Sequence, residues 1–174
     1  TQIVTLWYRP PELLMGGTEY THAVDLWSVG CLFCELLTLK PIFAGNSEIE
    51  TMYRIFKTIG RPPPDIWARL YRSLPLASKL VEIIPHMKTH SSLRDMMPFL
   101  SPAGHHFLAS VLEYDPSQRL TAKDALAHPF WQEKPLPQPV RLDQMGDVNF
   151  YDERNMETEV AAGQRCDGND IFKA

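Results

Sequence analysis

Cys31 and Cys34 stand at the C-x-x-C spacing that serves thiol redox exchange or metal binding. They lie inside an apolar run with no second cysteine pair, and the third cysteine is the distant Cys166. Core packing is therefore the expected role, without a disulfide framework. His105, His106 and His128 raise the question of a metal. Adjacent helical histidines point in different directions and do not share a ligand set, so capping or surface roles are expected and no metal site. Asp25 is a carboxylate in the most apolar stretch of the chain, residues 23–39, where burial would demand hydrogen-bond donors. The densest stretch is TLWYRPPELLMGG, from Thr5 to Gly17. Bulky aromatics, an Arg, a Glu and two prolines so close together suit a binding surface on a fixed backbone.

The elements that would carry these residues are helical. Pro10, Pro11 and Glu12 read as a helix start, and Gly16-Gly17 as its stop. Thr21 is placed to cap a long helix from His22 to about Leu39, ended by Lys40-Pro41. It is apolar on nearly every face and is expected in the middle of a domain. Asn46 or Ser47 caps a third helix over residues 48–59, with Ile49, Met52, Tyr53, Ile55 and Phe56 at helical spacing. A Pro-rich irregular region follows to Ser101, then a helix from Pro102 through Glu113 and a short one from Ala122 to Ala127, capped by Thr121. No strand and no internal repeat is legible.

Composition sets outer limits. The chain has 174 residues, 44% hydrophobic and 22% charged, with a formal charge of −4. That fits one globular domain with a sizeable core, and offers no basic face for nucleic acid. Residues 133–174 hold nine acids and five bases, against twelve of each before them. This Pro-containing, then acidic segment is expected to be a disordered tail behind a domain at 1–132. The apolar stretch at 23–39 contains Asp25 and Glu35, so no membrane span is expected.

Three segments in order carry a family resemblance. VTLWYRPPELLMG resembles the end of a protein-kinase activation segment, with Pro10-Pro11-Glu12 where Ala-Pro-Glu is usual. DLWSVGCLFCELLTLKPIF and DPSQRLTAKDALAHPFW follow as in kinase domains. TLWYRPPE together with GNSEIETMYRIFKTIGRP is similar to the cyclin-dependent kinases, and EKPLP leans toward the PITSLRE, or galactosyltransferase-associated, branch. The fold this implies is mainly α: the helical C-terminal lobe of the kinase fold, without the β-rich N-terminal lobe and the catalytic loop. The function it implies for the full-length protein is transfer of the γ-phosphoryl group of ATP, with Mg2+, to Ser or Thr followed by Pro. A cyclin is the implied partner, and an intracellular location, nucleus or cytoplasm, is implied with it.

The resemblance also assigns roles. Ile3, Val4, Leu6 and Arg9 match the shallow cup for the residue after the phosphorylated Ser or Thr. Proline suits such a cup because it offers no N–H that needs an acceptor. Thr5 matches a threonine that ties together groups of the catalytic loop, and Asp25 an aspartate that supports that loop. Glu12 and Arg119 match a buried ion pair anchoring the substrate segment to the helical base. The sequence has no glycine-rich loop, no Val-Ala-Ile-Lys lysine, no His-Arg-Asp and no Asp-Phe-Gly. The chain is thus expected to be part of a longer kinase, inactive alone, with apolar surface left open around Asp25 and Trp27. A truncated, non-catalytic lobe serving as a binding module is the alternative.

Overall fold

The computed structural model describes residues 6–80 and 86–136; Ile3, Val4, Thr5, Cys166 and the segment 137–174 lie outside the described residues. Every regular element among the described residues is helical. A 3-10 turn at Leu6–Tyr8 leads into α1, Pro11–Leu14. Pro10 sits extended at the cap and Pro11 takes the first helical position, where its missing N–H costs nothing. Gly16, at φ 86°, lets the chain turn away.

The central element is α2, Ala23–Thr38. His22 occupies its cap position without a side-chain bond, while the Thr21 hydroxyl accepts from the Ala23 N–H at 3.3 Å. Its stop differs in mechanism from the proline expected there. Leu39 takes the left-handed conformation at φ 57° and its N–H donates to the Glu35 carbonyl at 2.7 Å. Glycine usually fills that position because a Cβ is crowded in it.

α3, Glu48–Ile59, is capped by Ser47, whose hydroxyl accepts from the Glu50 N–H at 3.2 Å. Glu50 reaches back to the Asn46 N–H at 2.9 Å and also holds Arg54, so three side chains secure the first turns. The region expected to be irregular contains short turns: α4 at Pro64–Ile66, running into a π turn at Trp67–Tyr71, then α5 at Ala77–Leu80 and α6 at Leu93–Met96. Each is too short to leave a helical period in the sequence. α7, Pro102–Val111, starts on Ser101 and ends two residues before Glu113; α8, Ala122–Leu126, starts on Thr121; a 3-10 turn follows at Pro129–Gln132.

Two aromatic groups fill the interior. Trp27 is fully buried and stacks on Phe43 at 5.9 Å, with Tyr114 beyond it at 6.5 Å. Phe33 meets Phe107 and Phe130 edge-on at 5.6 and 5.5 Å, and Trp131 packs on Phe107 at 5.2 Å. Gly30 permits the close approach of α2 and α7: a Cβ there would meet Val111 and Leu112 at 2.8 Å. An alanine at that position would force both side chains to shift.

The structure corrects the expectation that α2 is covered all round. Leu26, Trp27, Gly30, Cys31 and Cys34 face inward. Val29, Leu32, Leu36 and Leu39 are 45, 51, 76 and 86% exposed. Spaced three, seven and ten residues from Val29, they form one stripe at the helical period. Trp27, expected at the open edge, is instead in the core.

Candidate functional site

The stretch from Leu6 to Glu12 is held from below at four points. The Trp7 indole N–H donates to the Gly45 carbonyl at 3.0 Å, before α3. The Tyr8 hydroxyl donates to the Glu35 carboxylate on α2 at 2.7 Å. The Ser28 hydroxyl, one turn into α2, donates to the Tyr8 carbonyl at 2.9 Å. The bond to Glu35 pushes the Tyr8 phenol above its ordinary pKa, because an ionised phenol would face a carboxylate; partial burial adds to this.

The fourth point is Glu12. Arg119 donates from Nη1 to Glu12 Oε1 at 2.9 Å and from Nη2 to Oε2 at 3.1 Å, a two-toothed fit of guanidinium to carboxylate. Its Nε donates to the Glu113 carbonyl at 3.0 Å and Nη1 also to the Ala23 carbonyl at 2.8 Å. The guanidinium lies 5.2 Å over the Trp27 ring, and the Arg119 residue is only 4% exposed. Every charged atom of the pair thus has a partner, which is what burial of two charges requires.

The loop that presents Arg119 is itself tied down. Asp115 accepts from the Ser117 N–H and hydroxyl at 2.9 and 2.7 Å and from Arg69 at 2.6 Å. Burial works against its charged form, but the Arg69 and Ser117 bonds outweigh burial and hold the carboxyl below its ordinary pKa. The Asp115 carbonyl then accepts the Arg119 N–H at 3.0 Å. Two open cavities of about 510 and 470 Å3, both bordered by Thr21 and Pro116, lie against Glu12 and Arg119 respectively.

The sequence-derived residues fall into three groups. Glu12 and Arg119 are brought together; Leu6 and Arg9 are half-buried on the secured segment, with Leu6 against the core. Ile3, Val4 and Thr5 lie outside the described residues. Asp25 is exposed and its side chain has no hydrogen-bond partner among the described residues, which corrects the expectation of a buried carboxylate. The reason is helical phase, since position 25 shares the open stripe with Val29 and Leu32. Ser28, Glu35 and Gly45 were not singled out in the sequence. A serine and a glutamate in a helix have no distinguishing pattern, and their partners lie 20 and 27 residues away.

Cys31 and Cys34 are buried, and burial pushes both thiols up, that of Cys34 to about 12. Neither readily forms the thiolate that metal binding or redox exchange uses. No group of three His, Cys, Asp or Glu side chains able to hold a metal occurs among the described residues.

His106 and His128 do meet, through Nδ1 of the first and Nε2 of the second at 2.8 Å, with stacked rings. His128 Nδ1 accepts from the Phe130 N–H at 3.2 Å and so caps the 3-10 turn. A neutral His128 therefore carries its proton on Nε2 and donates it to His106. A second proton on either ring breaks one of these bonds. Burial, and secondarily His106, holds His128 below its ordinary pKa of 6.5. The unfolded chain then binds a proton near pH 6.5 that the folded chain refuses, so stability falls as pH drops through that value. Denaturant midpoints at about pH 7.5 and 5.5 should show this loss, no steeper than about 1.4 kcal/mol per pH unit for this one group. His128→Gln should reduce the slope, and an unchanged slope in that variant would disprove the coupling.

The family described as protein kinase domain matches residues 1–131. The chain is 44% identical over 140 residues to the probable cyclin-dependent kinase 10 of Dictyostelium discoideum, covering 80% of this chain and 37% of that protein. It is 42% identical over 135 residues to the serine/threonine-protein kinase ppk23 of Schizosaccharomyces pombe, covering 78% of this chain and 33% of that protein. To human cyclin-dependent kinase 11A it is 45% identical over 136 residues, 78% of this chain and 17% of that protein. The chain thus spans little more than a third of the first of these relatives and less of the others. No described helix is long and apolar enough to cross a membrane.

Proposed function

The chain belongs to the protein kinase family, and from that premise we propose that it is the helical, substrate-bearing lobe of a proline-directed Ser/Thr kinase of the cyclin-dependent type. The observation that carries this reading is the four-point fastening of Leu6–Glu12, by Trp7, Tyr8, Ser28 and Arg119, to the helical base. A peptide platform must keep its backbone in place without the peptide's help, because positioning is most of what a kinase contributes to phosphoryl transfer. Ile3, Val4, Leu6 and Arg9 form the cup for the residue after the target hydroxyl. A proline there leaves no N–H unpaired, whereas any other residue would bury one. Thr5 ties this segment to the catalytic loop, and the exposed Asp25 accepts hydrogen bonds from that loop's backbone. The stripe Val29, Leu32, Leu36 and Leu39 is the seat of other parts of the kinase domain.

The proposal assigns ATP and Mg2+ to parts of the kinase other than this chain. The motifs that hold nucleotide phosphates in kinases do not occur in the sequence. The proposal therefore gives this chain no activity of its own. A cyclin partner rests on the names of the relatives, and identities of 42 to 45% do not single out a branch. The segment 133–174 is proposed as a tail that leaves the domain at Glu133, the residue bonded to Ser101.

The test compares the intact kinase with the 174-residue chain. The intact kinase should phosphorylate a Ser-Pro peptide at least about tenfold more efficiently than its Ser-Ala counterpart, the cost of one buried unpaired N–H. The chain alone should show no saturable ATP binding by calorimetry. Equal rates on the two peptides would overturn the proline-directed platform. Micromolar ATP binding by the chain alone would overturn its division of labour.

A further inference from the structure

Ser101-Pro102 is the sole Ser-Pro or Thr-Pro dipeptide in the sequence. Its surroundings make it more than a sequence match. Ser101 is the N-cap of α7, extended at φ −62° and ψ 161°, and its hydroxyl oxygen accepts from the Gly104 N–H at 3.0 Å. The hydroxyl proton is donated to the Glu133 carboxylate at 2.5 Å, across 32 residues of chain. Glu133 closes the 3-10 turn Pro129–Gln132, so this bond ties the end of that turn to the start of α7, beside the packing of Phe130 and Trp131 on Phe107. Pro98, Phe99 and Pro102 around the serine are exposed, and Ser101 itself is partly so. Ser101 itself is extended, at the junction between the turn at Pro98-Phe99 and the first residue of α7.

We propose that Ser101 is a phosphorylation site for a proline-directed protein kinase, and that the phosphate releases Glu133 and opens the last turn. The reaction joins Ser101 Oγ to the γ-phosphorus of ATP as the bond from that phosphorus to ADP breaks. The hydroxyl proton leaves to the base of the modifying kinase. The product exchanges the donor that Glu133 requires for a group of charge about −1.5 to −2. That group can still accept the Gly104 N–H, and it is favoured by the unpaired N–H groups at the start of α7. The same charge repels the Glu133 carboxylate. The cap of α7 is thus kept while the contact to residue 133 is lost. This inference does not depend on the function proposed above, since any proline-directed kinase would serve.

The experiment incubates the intact kinase, its own activity blocked by an ATP-site inhibitor, with a purified inhibitor-resistant proline-directed kinase and ATP. Sites are mapped by mass spectrometry, and amide exchange of residues 130–134 is followed before and after. A synthetic peptide covering residues 96–106 is the accessibility control. Phosphate is expected on Ser101 and is lost in Ser101→Ala. Amide exchange at 130–134 should rise at least about tenfold, the worth of a charge-assisted hydrogen bond. In Glu133→Gln, whose amide can donate to the phosphate, the rise should be abolished. Phosphorylation of the peptide but not of the folded protein would overturn the site. Phosphorylation with unchanged exchange, as when Lys134 captures the phosphate and keeps the turn shut, would overturn the release.

Discussion

Arg119→Ala is expected to destabilise the domain by roughly 3–5 kcal/mol, because it leaves the Glu12 carboxylate buried and unpaired. The geometry adds an asymmetry. Losing Arg119 also removes the donors to the Glu113 and Ala23 carbonyls. Losing Glu12 leaves Arg119 with both carbonyls and the Trp27 ring. Glu12→Ala should therefore cost less than Arg119→Ala. The double variant should cost less than the sum of the two by about 1–3 kcal/mol, the coupling expected of side chains in direct contact. Arg119→Lys should recover only part, since an ammonium cannot meet both carboxylate oxygens in the plane. Denaturant melts of the four proteins supply the numbers, with peptide phosphorylation by the intact kinase measured alongside. Additive free energies would mean the pair is not coupled and the platform is anchored elsewhere.

The second large effect should change sign with context. Leu32→Lys with Leu36→Lys alters two side chains that are 51 and 76% exposed here. In the 174-residue chain they remove an apolar stripe of the kind that drives association. The double variant should stay monomeric at concentrations where the parent aggregates, with its helical content retained. In the intact kinase the same leucines are proposed to be covered. Each then forfeits about 1.5–3 kcal/mol of burial and sets an ammonium against an apolar partner. Domain stability and phosphorylation should both collapse there. Light scattering and melting curves of the two proteins decide it. A tolerant intact kinase would show that nothing covers the stripe.

Much of the helical order was legible because its signals are local. Ser47 and Thr121 each stand at the start of a periodic run and cap their helices in the structure, while α7 begins on the expected Pro102 with Ser101 as its cap. The ion pair was legible only through resemblance. A glutamate and an arginine separated by 107 positions leave no mark in either neighbourhood. The fastening of Tyr8 to Glu35 and Trp7 to Gly45 leaves no local mark for the same reason. The two errors on α2 share one cause. Composition reports how apolar a helix is, whereas helical phase decides which residues face the core. Asp25 and Leu36 fall on the open side and Trp27 on the other. In the sequence His106 and His128 read as ligands or as caps, and their meeting depends on how α7 lies against the turn after α8.

The distance along the chain between Glu12 and Arg119 also sets an order of events during synthesis. Ribosomes add about 5–20 residues per second, so Arg119 follows Glu12, 107 residues ahead of it, by about 5–20 s. Throughout that interval the Glu12 carboxylate has no guanidinium to meet, and the segment from Leu6 to Tyr8 lacks its deepest anchor. Closing so long a loop is also entropically costly, which places this contact late in folding. A nascent chain would thus complete the fastening of the Leu6–Glu12 stretch last, after the helical base has been made. Premature termination before residue 119 would yield a protein with most of its helices and a Leu6–Glu12 stretch held by three of its four ties, with Glu12 left without its cation.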